Sequence, residues 1–197
     1  MRHFFAHLLL WTGRGKESAR ECSRALELDP FNPSLISCLG FHYLLTGDEE
    51  KALEATRQAL AFDPNHGWSL MTLGWIYEQK GMFLEALSAL RKSWDITIKK
   101  ASIAHVFARS GNRPTAEKIL EELLADAKKK YISPYDIAVI YAGLNDRKKA
   151  LEWLNTAYEE HSGFLLFVNS DPRFKPLRRE PPFQDLLLRM KLPDLQG

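Results

Sequence analysis

Cysteine is scarce in this chain: Cys22 and Cys38 are the only two in 197 residues. Two thiols cannot build a disulfide framework, and their spacing fits neither a zinc pattern nor a C-x-x-C redox pair. They read as buried thiols of a protein kept in a reducing, cytoplasmic compartment. Excess charge is lacking too. With 27 Lys and Arg against 25 Asp and Glu, the net charge is only +2, which argues against a nucleic-acid partner. The local basic stretches, Lys128 to Lys130 and Arg173, Lys175, Arg178 and Arg179, read as solvated surface. No apolar run reaches the roughly 18 residues of a spanning helix, so no membrane partner is expected. The stretch from Phe4 to Trp11 has some character of a signal peptide. However, His7 interrupts it, and Gly13-Arg14-Gly15-Lys16 follows where a small-x-small cleavage site would stand. A structural helix is expected there.

Catalytic motifs are missing as well. There is no G-x-S-x-G elbow, no glycine-rich phosphate loop, no H-R-D and no D-F-G. His3 and His7 lie four apart, so a helix would put them on one face. No third ligand is in view and H-E-x-x-H is absent, so neither a metal nor a cofactor is expected; a metal or small-molecule site near His3 and His7 is the weaker alternative. His42, His66, His105 and His161 are scattered. Asp48-Glu49-Glu50 suits a helix start, where the dipole favours acids. The residues give no catalytic constellation, and the chain reads as not an enzyme.

What the chain does have is a repeat. Leu39-Gly40-Phe41-His42-Tyr43 returns as Leu73-Gly74-Trp75-Ile76-Tyr77, 34 residues on. Gly13, Gly47 and Gly81 are 34 apart, as are Ala52-Leu53 and Ala86-Leu87, and Asp29-Pro30 and Asp63-Pro64. One step is shorter: Gly81 to Gly111 and Ala86 to Ala116 are each 30. The period then returns from Phe107 to Tyr141 and from Ala116 to Ala150, each 34. Each recurring residue has a physical role. Gly40 and Gly74 let two helices approach to about 8–10 Å, with Ala52, Ala86, Ala116 and Ala150 as small partners on the second helix. Gly47, Gly81 and Gly111 fall where a left-handed residue ends the first helix, and Asn145 takes that place in the last repeat. Pro30 and Pro64 close the second helix.

A 34-residue period with these residues closely resembles the tetratricopeptide repeat (TPR). The resemblance implies an all-α, right-handed solenoid of about five antiparallel helix pairs. The array spans 1–164, divided as 1–32, 33–66, 67–100, 101–130 and 131–164, with the four-residue deletion near Ile96 to Lys100. There are departures: Ser18 replaces the usual alanine of the first repeat, Ala6, Ala104 and Ala138 replace glycine, and Ile98 stands where a proline would. A stack needs a cap at its end, and residues 165–197 supply capping helices. Phe164 to Phe167 reads as a short apolar helix, Asp171-Pro172 as a helix start, and Phe183, Leu186, Leu187 and Met190 have helical spacing before Pro193.

From Ser133 onward, Ser133-Pro134-Tyr135-Asp136, Trp153-Leu154 and Asp171-Pro172-Arg173-Phe174 resemble the C-terminal ends of bacterial multidomain regulators. There, TPR arrays follow a kinase, winged-helix or cyclase domain. The family likeness implies a non-enzymatic scaffold in bacterial signalling or transcriptional regulation. Its first helices would line a groove for a protein or peptide partner. Carried over position by position, that groove holds Trp11, Phe41, Leu44, Trp68, Met71, Trp75, Glu78, His105, Arg109 and Tyr135. The aromatics are the residues that most often anchor interfaces. The positions of a lysine–asparagine–arginine carboxylate clamp hold no cations, which favours an apolar strand or helix as occupant. The alternative is a piece of a signalling enzyme whose repeats regulate a catalytic domain outside this chain. The apolar residues Leu8 to Trp11 further suggest self-association through the N-terminal edge.

Overall fold

The computed structural model describes residues 2–94 and 96–192, with side chains from residue 4. Pro193 and the end of the expected cap lie outside the described residues, as does the side chain of His3. Every regular element among the described residues is helical. Two compact units emerge, one formed by residues up to Trp94 and the other from Asp95 to Asp194.

The first unit holds three helix hairpins. They are α1 (Arg2–Trp11) with α2 (Gly15–Leu28), α3 (Pro33–Leu45) with α4 (Glu49–Phe62), and α5 (Gly67–Gln79) with α6 (Phe83–Lys92). The second unit holds two more, α7 (Thr97–Arg109) with α8 (Arg113–Ala127) and α9 (Pro134–Gly143) with α10 (Arg147–Glu159). It continues through 3-10 segments at Gly163–Phe167 and Pro172–Leu177 into α11 (Pro181–Arg189).

The turn inside each hairpin is the same device. Gly13, Gly47, Gly81 and Gly111 have φ of 77, 82, 73 and 88°, and Asn145 has 58°. Each left-handed residue turns the chain so that the next amide donates back across the helix end. Asp48 N reaches Tyr43 O at 2.9 Å, and Asp146 N reaches Tyr141 O at 3.0 Å. These bonds satisfy carbonyls that a helix end would otherwise orphan. In three hairpins the residue after the turn also caps the second helix: Asp48 accepts from Lys51 N, Asn112 from Thr115 N and Asp146 from Lys149 N. That role accounts for Asp48 without catalysis.

Small residues set the distance within each pair. A Cβ on Gly40 would stand 2.6 Å from Thr56 Oγ1 and 3.3 Å from Ala52 O; on Gly74 it would stand 3.3 Å from Ala86 O. Ala52, Ala86, Ala116 and Ala150 are fully buried, and so are Ala6, Ala104 and Ala138, which fill the glycine position elsewhere. The alanines hold the same packing with one methyl more.

The bounds of one repeat differ from those expected. The short repeat is the third, not the fourth. Helix α6 has ten residues where α2 and α4 have fourteen, and α7 is complete from Thr97. One turn is therefore missing from the end of α6, and the boundary moves from Lys100 to Ile96. Ile98 is then no substitute for a stop residue; it is buried in the first turn of α7. The stretch from Phe164 to Phe167 forms a short helix of the 3-10 kind.

Helix α1 forms with Ala6, Leu9 and Leu10 buried, as expected of a structural helix. No helix among the described residues is long and apolar enough to cross a membrane. The cap on the second unit is α11, which buries Phe183, Leu186 and Leu187.

Candidate partner-binding face and a buried histidine–cysteine cluster

The first helices of each unit carry the expected groove residues, but most of these side chains point inward. Phe41, Leu44, Met71, Trp75 and Glu78 are buried in the first unit, and His105 and Tyr135 in the second. For these seven, burial leaves little surface for direct partner contact. Their side chains fill space between neighbouring helices. His105, for example, lies against the backbone of α9, where a Cβ on Gly143 would come within 2.7 Å of its ring. Among the expected residues, Trp11 and Trp68 are half-buried and Arg109 is exposed.

In the first unit Trp68 belongs to a continuous aromatic wall. Its ring is 5.2 Å from Phe41, 5.6 Å from Trp75 and 6.2 Å from Trp94. Phe41 and Trp75 form the buried base, while Trp94 is 50% exposed. Position within the repeat does not point to Trp94, because it follows α6 rather than lying on a first helix. It packs over Gly67, where any Cβ would collide with the indole. That glycine is the available signal.

In the second unit the equivalent face is covered by the chain itself. The ring of Tyr135 packs against Phe174 at 5.4 Å and Phe164 at 6.3 Å. Its hydroxyl donates to Asp171 Oδ2 at 2.6 Å. Arg173 donates to the same carboxylate at 2.6 Å from its terminal nitrogen and reaches Ser102 Oγ at 3.3 Å. The side chains of Tyr135, Asp171, Arg173 and Ser102 are all buried. Burial alone would raise the Asp171 carboxyl, but the Arg173 guanidinium and the hydrogen bonds from Arg173 and Tyr135 hold it below its ordinary value. Burial and the Asp171 charge push the Tyr135 phenol well up. Asp136 also lies in this interior. Burial lifts its carboxyl to about 7 despite the pull of Arg173.

A different cluster occupies the interior of the first unit. His42 is fully buried on α3, one turn from Cys38, so i and i+4 share a face. From α1, His7 Nδ1 lies 3.1 Å from His42 Nε2, and His7 Nε2 lies 3.8 Å from Cys38 Sγ. Cys38 Sγ is 3.5 Å from His42 Nε2. From α2, Cys22 Sγ is 3.4 Å from Cys38 Sγ, and Ser18 Oγ meets His42 Nδ1. Both cysteines are free and buried. The Cys22 contact, reinforced by burial, pushes the Cys38 thiol far up. Sequence spacing offers His3 as the companion of His7; the structure brings Cys38 and His42 to it from α3. Spacing hides them, since they come from the next repeat.

Ser18 and His42 make a serine–imidazole contact but not a nucleophile. Ser18 is fully buried and donates its one proton to Ala6 O at 2.8 Å, so no substrate reaches it and its proton is already committed.

Comparison with solved structures finds the same fold. Pseudomonas aeruginosa pilF superposes with a TM-score of 0.59 at 16% identity, covering 96% of this chain and 89% of that one. TTC0263, a thermophilic TPR protein of Thermus thermophilus, gives 0.64 at 23% identity over 88% and 97%. PilW, a widely conserved type IV pilus biogenesis factor, gives 0.61 at 17% identity over 96% and 90%. Neither a protein-family model nor a curated protein matches the chain. The fold is thus the all-α TPR solenoid, and at these identities the likeness is one of fold.

Proposed function

We propose that this chain is a non-enzymatic scaffold that holds a protein or peptide partner on the aromatic wall of its first unit. The observation that carries this is the partial exposure of Trp68 and Trp94 above a packed base of Phe41 and Trp75. Rings held rigidly by their neighbours lose little entropy on binding, which is why tryptophan dominates interface hot spots. The rings of the wall bring no cation, so an apolar strand or helix suits it better than an acidic tail. The setting we infer is bacterial signalling or regulation inside the cell. The resemblance of the Ser133–Phe174 stretch to regulator ends supports it; the fold neighbour PilW, a type IV pilus biogenesis factor, makes pilus biogenesis the competing setting.

Affinity capture from the native host tests the reading. Trp68→Ala is expected to lose the partner, while Leu84→Ala, at an 81% exposed position on α6, retains it. Equal recovery by both variants removes the wall as the site.

A second reading concerns the N-terminal edge. Phe4, Phe5 and Leu8 on α1 are 75, 46 and 49% exposed, an apolar strip that a second copy would cover. If the chain is the repeat portion of a signalling enzyme, the catalytic domain would cover it in cis. Light scattering of the wild type and of Phe4→Glu separates these readings. A dimer that the substitution dissolves supports the first, and a monomer in both excludes it.

A further inference from the structure

The repeat provides its own internal control for the histidine–cysteine cluster. At the position of His42, later repeats carry Ile76, Val106 and Ile140, all fully buried aliphatics. At the position of Ser18 they carry Ala52, Ala86, Ala116 and Ala150, again fully buried. A packed core gains nothing from replacing an aliphatic with imidazole, since burying a polar ring costs free energy unless its nitrogens are satisfied. The two departures are moreover partners. Ser18 gives its only proton to Ala6 O, so it must accept from His42 Nδ1. That fixes the His42 tautomer and turns its Nε2 lone pair towards His7 and Cys38. A metal-ligating histidine donates its other ring N–H to an acceptor behind it, and Ser18 Oγ is such an acceptor for His42 Nδ1.

We propose that His7, Cys38 and His42 bind a borderline-soft first-row transition ion, zinc(II) foremost, in the interior between α1, α2 and α3. One donor atom from each lies within 4.8 Å of the others. Zinc bonds of about 2.0–2.1 Å to nitrogen and 2.3 Å to sulfur, at tetrahedral angles, require ligand separations of roughly 3.3 Å between nitrogens and 3.6 Å between nitrogen and sulfur. The structure supplies 3.1 Å between the two imidazoles and 3.5 Å from Cys38 Sγ to His42 Nε2. Thiolate with imidazole suits zinc or copper rather than magnesium or calcium. On binding, the Cys38 S–H bond breaks, its proton leaves to solvent, and a sulfur–metal bond forms. His7 moves its proton from Nδ1 to Nε2 and ligates without net charge change. Cys22 stands on the Nδ1 side of His42, so it supports the Cys38 sulfur rather than ligating. Three protein donors leave a fourth position of a tetrahedral ion to solvent or another ligand.

The full chain, without a histidine tag and stripped by chelator, is titrated with cobalt(II) as spectroscopic probe and zinc(II) as competitor. We expect one cobalt per chain, with sulfur-to-cobalt charge-transfer absorption that zinc abolishes. Cys38→Ser removes that absorption and Cys22→Ser retains it. His42→Ile, which restores the aliphatic of the later repeats, keeps the helical circular dichroism and weakens binding at least about 100-fold. Ser18→Ala keeps the spectrum and weakens binding about 10- to 100-fold. If Cys38→Ser does not fold, His7→Ala at its half-buried site gives the same loss of binding. Absence of a saturable charge-transfer band, a band that survives Cys38→Ser in a folded chain, or unchanged cobalt affinity in His42→Ile overturns the proposal.

Discussion

The two units use one repeat in opposite ways. In the second, the face of the first helices is filled from within: Phe164, Phe174 and the Asp171–Arg173 pair close over Tyr135. In the first, the corresponding face is partly open and built of rings, with Trp68 and Trp94 reaching solvent. The polar content differs in the same sense. The second unit buries an acid–guanidinium–phenol network that satisfies itself, whereas the first buries donors of metal-ligating chemistry. A repeat surface is therefore free to become core wherever the chain supplies its own occupant, and it stays available for another molecule where the chain does not.

Substitutions that unbalance the network should strike the second unit hardest. Arg173→Ala leaves Asp171 buried without its counter-charge and is expected to cost about 3–5 kcal/mol in urea unfolding. A loss below about 1 kcal/mol would mean that the closure contributes little. Tyr135→Phe removes one hydrogen bond to a charged acceptor and should cost about 1.5–3 kcal/mol. Neither change should alter partner capture through the aromatic wall.

The pH dependence sharpens the contrast further. Asp136 has a folded-state carboxyl raised to about 7 from an ordinary value of 3.8. Between those values the folded chain holds a proton that the unfolded chain has lost. Its contribution is thus complete at low pH and falls as pH rises, by up to about 1.4 kcal/mol per unit, until it levels above about 7. Unfolding curves from about pH 4 to 8 should show that slope for the wild type relative to Asp136→Asn. Parallel curves would show that Asp136 does not titrate late. The smallest effect concerns the turns. Gly47→Ala, at φ of 82°, should cost about 1 kcal/mol. Asn145→Gly should be neutral or slightly stabilising by thermal melt.

Much of the fold could be read from residue order because its causes are local. A left-handed turn needs glycine or asparagine at one position, and Gly47, Gly81, Gly111 and Asn145 declare it directly. A close helix pair needs a small residue, and Gly40 and Gly74 show that too. What escaped has non-local causes. The shortening of α6 carries no marker residue in the repeat pattern, so the break fell four residues too late. The inward aim of Phe41, Trp75 and His105 depends on the neighbouring helix, which position within a repeat does not specify. The covering of Tyr135 comes from residues 36 positions on, at Asp171. The pairing of Ser18 with His42 joins two repeats, so neither repeat shows it alone.

The central claim is that partners meet the rings of the first unit and not the self-filled face of the second. A photo-crosslinking amino acid placed at position 68, at 135 or at 84 in the native host tests it most directly. The account predicts a protein adduct from position 68 and none from 135 or 84. An adduct from 135 with none from 68 would contradict it.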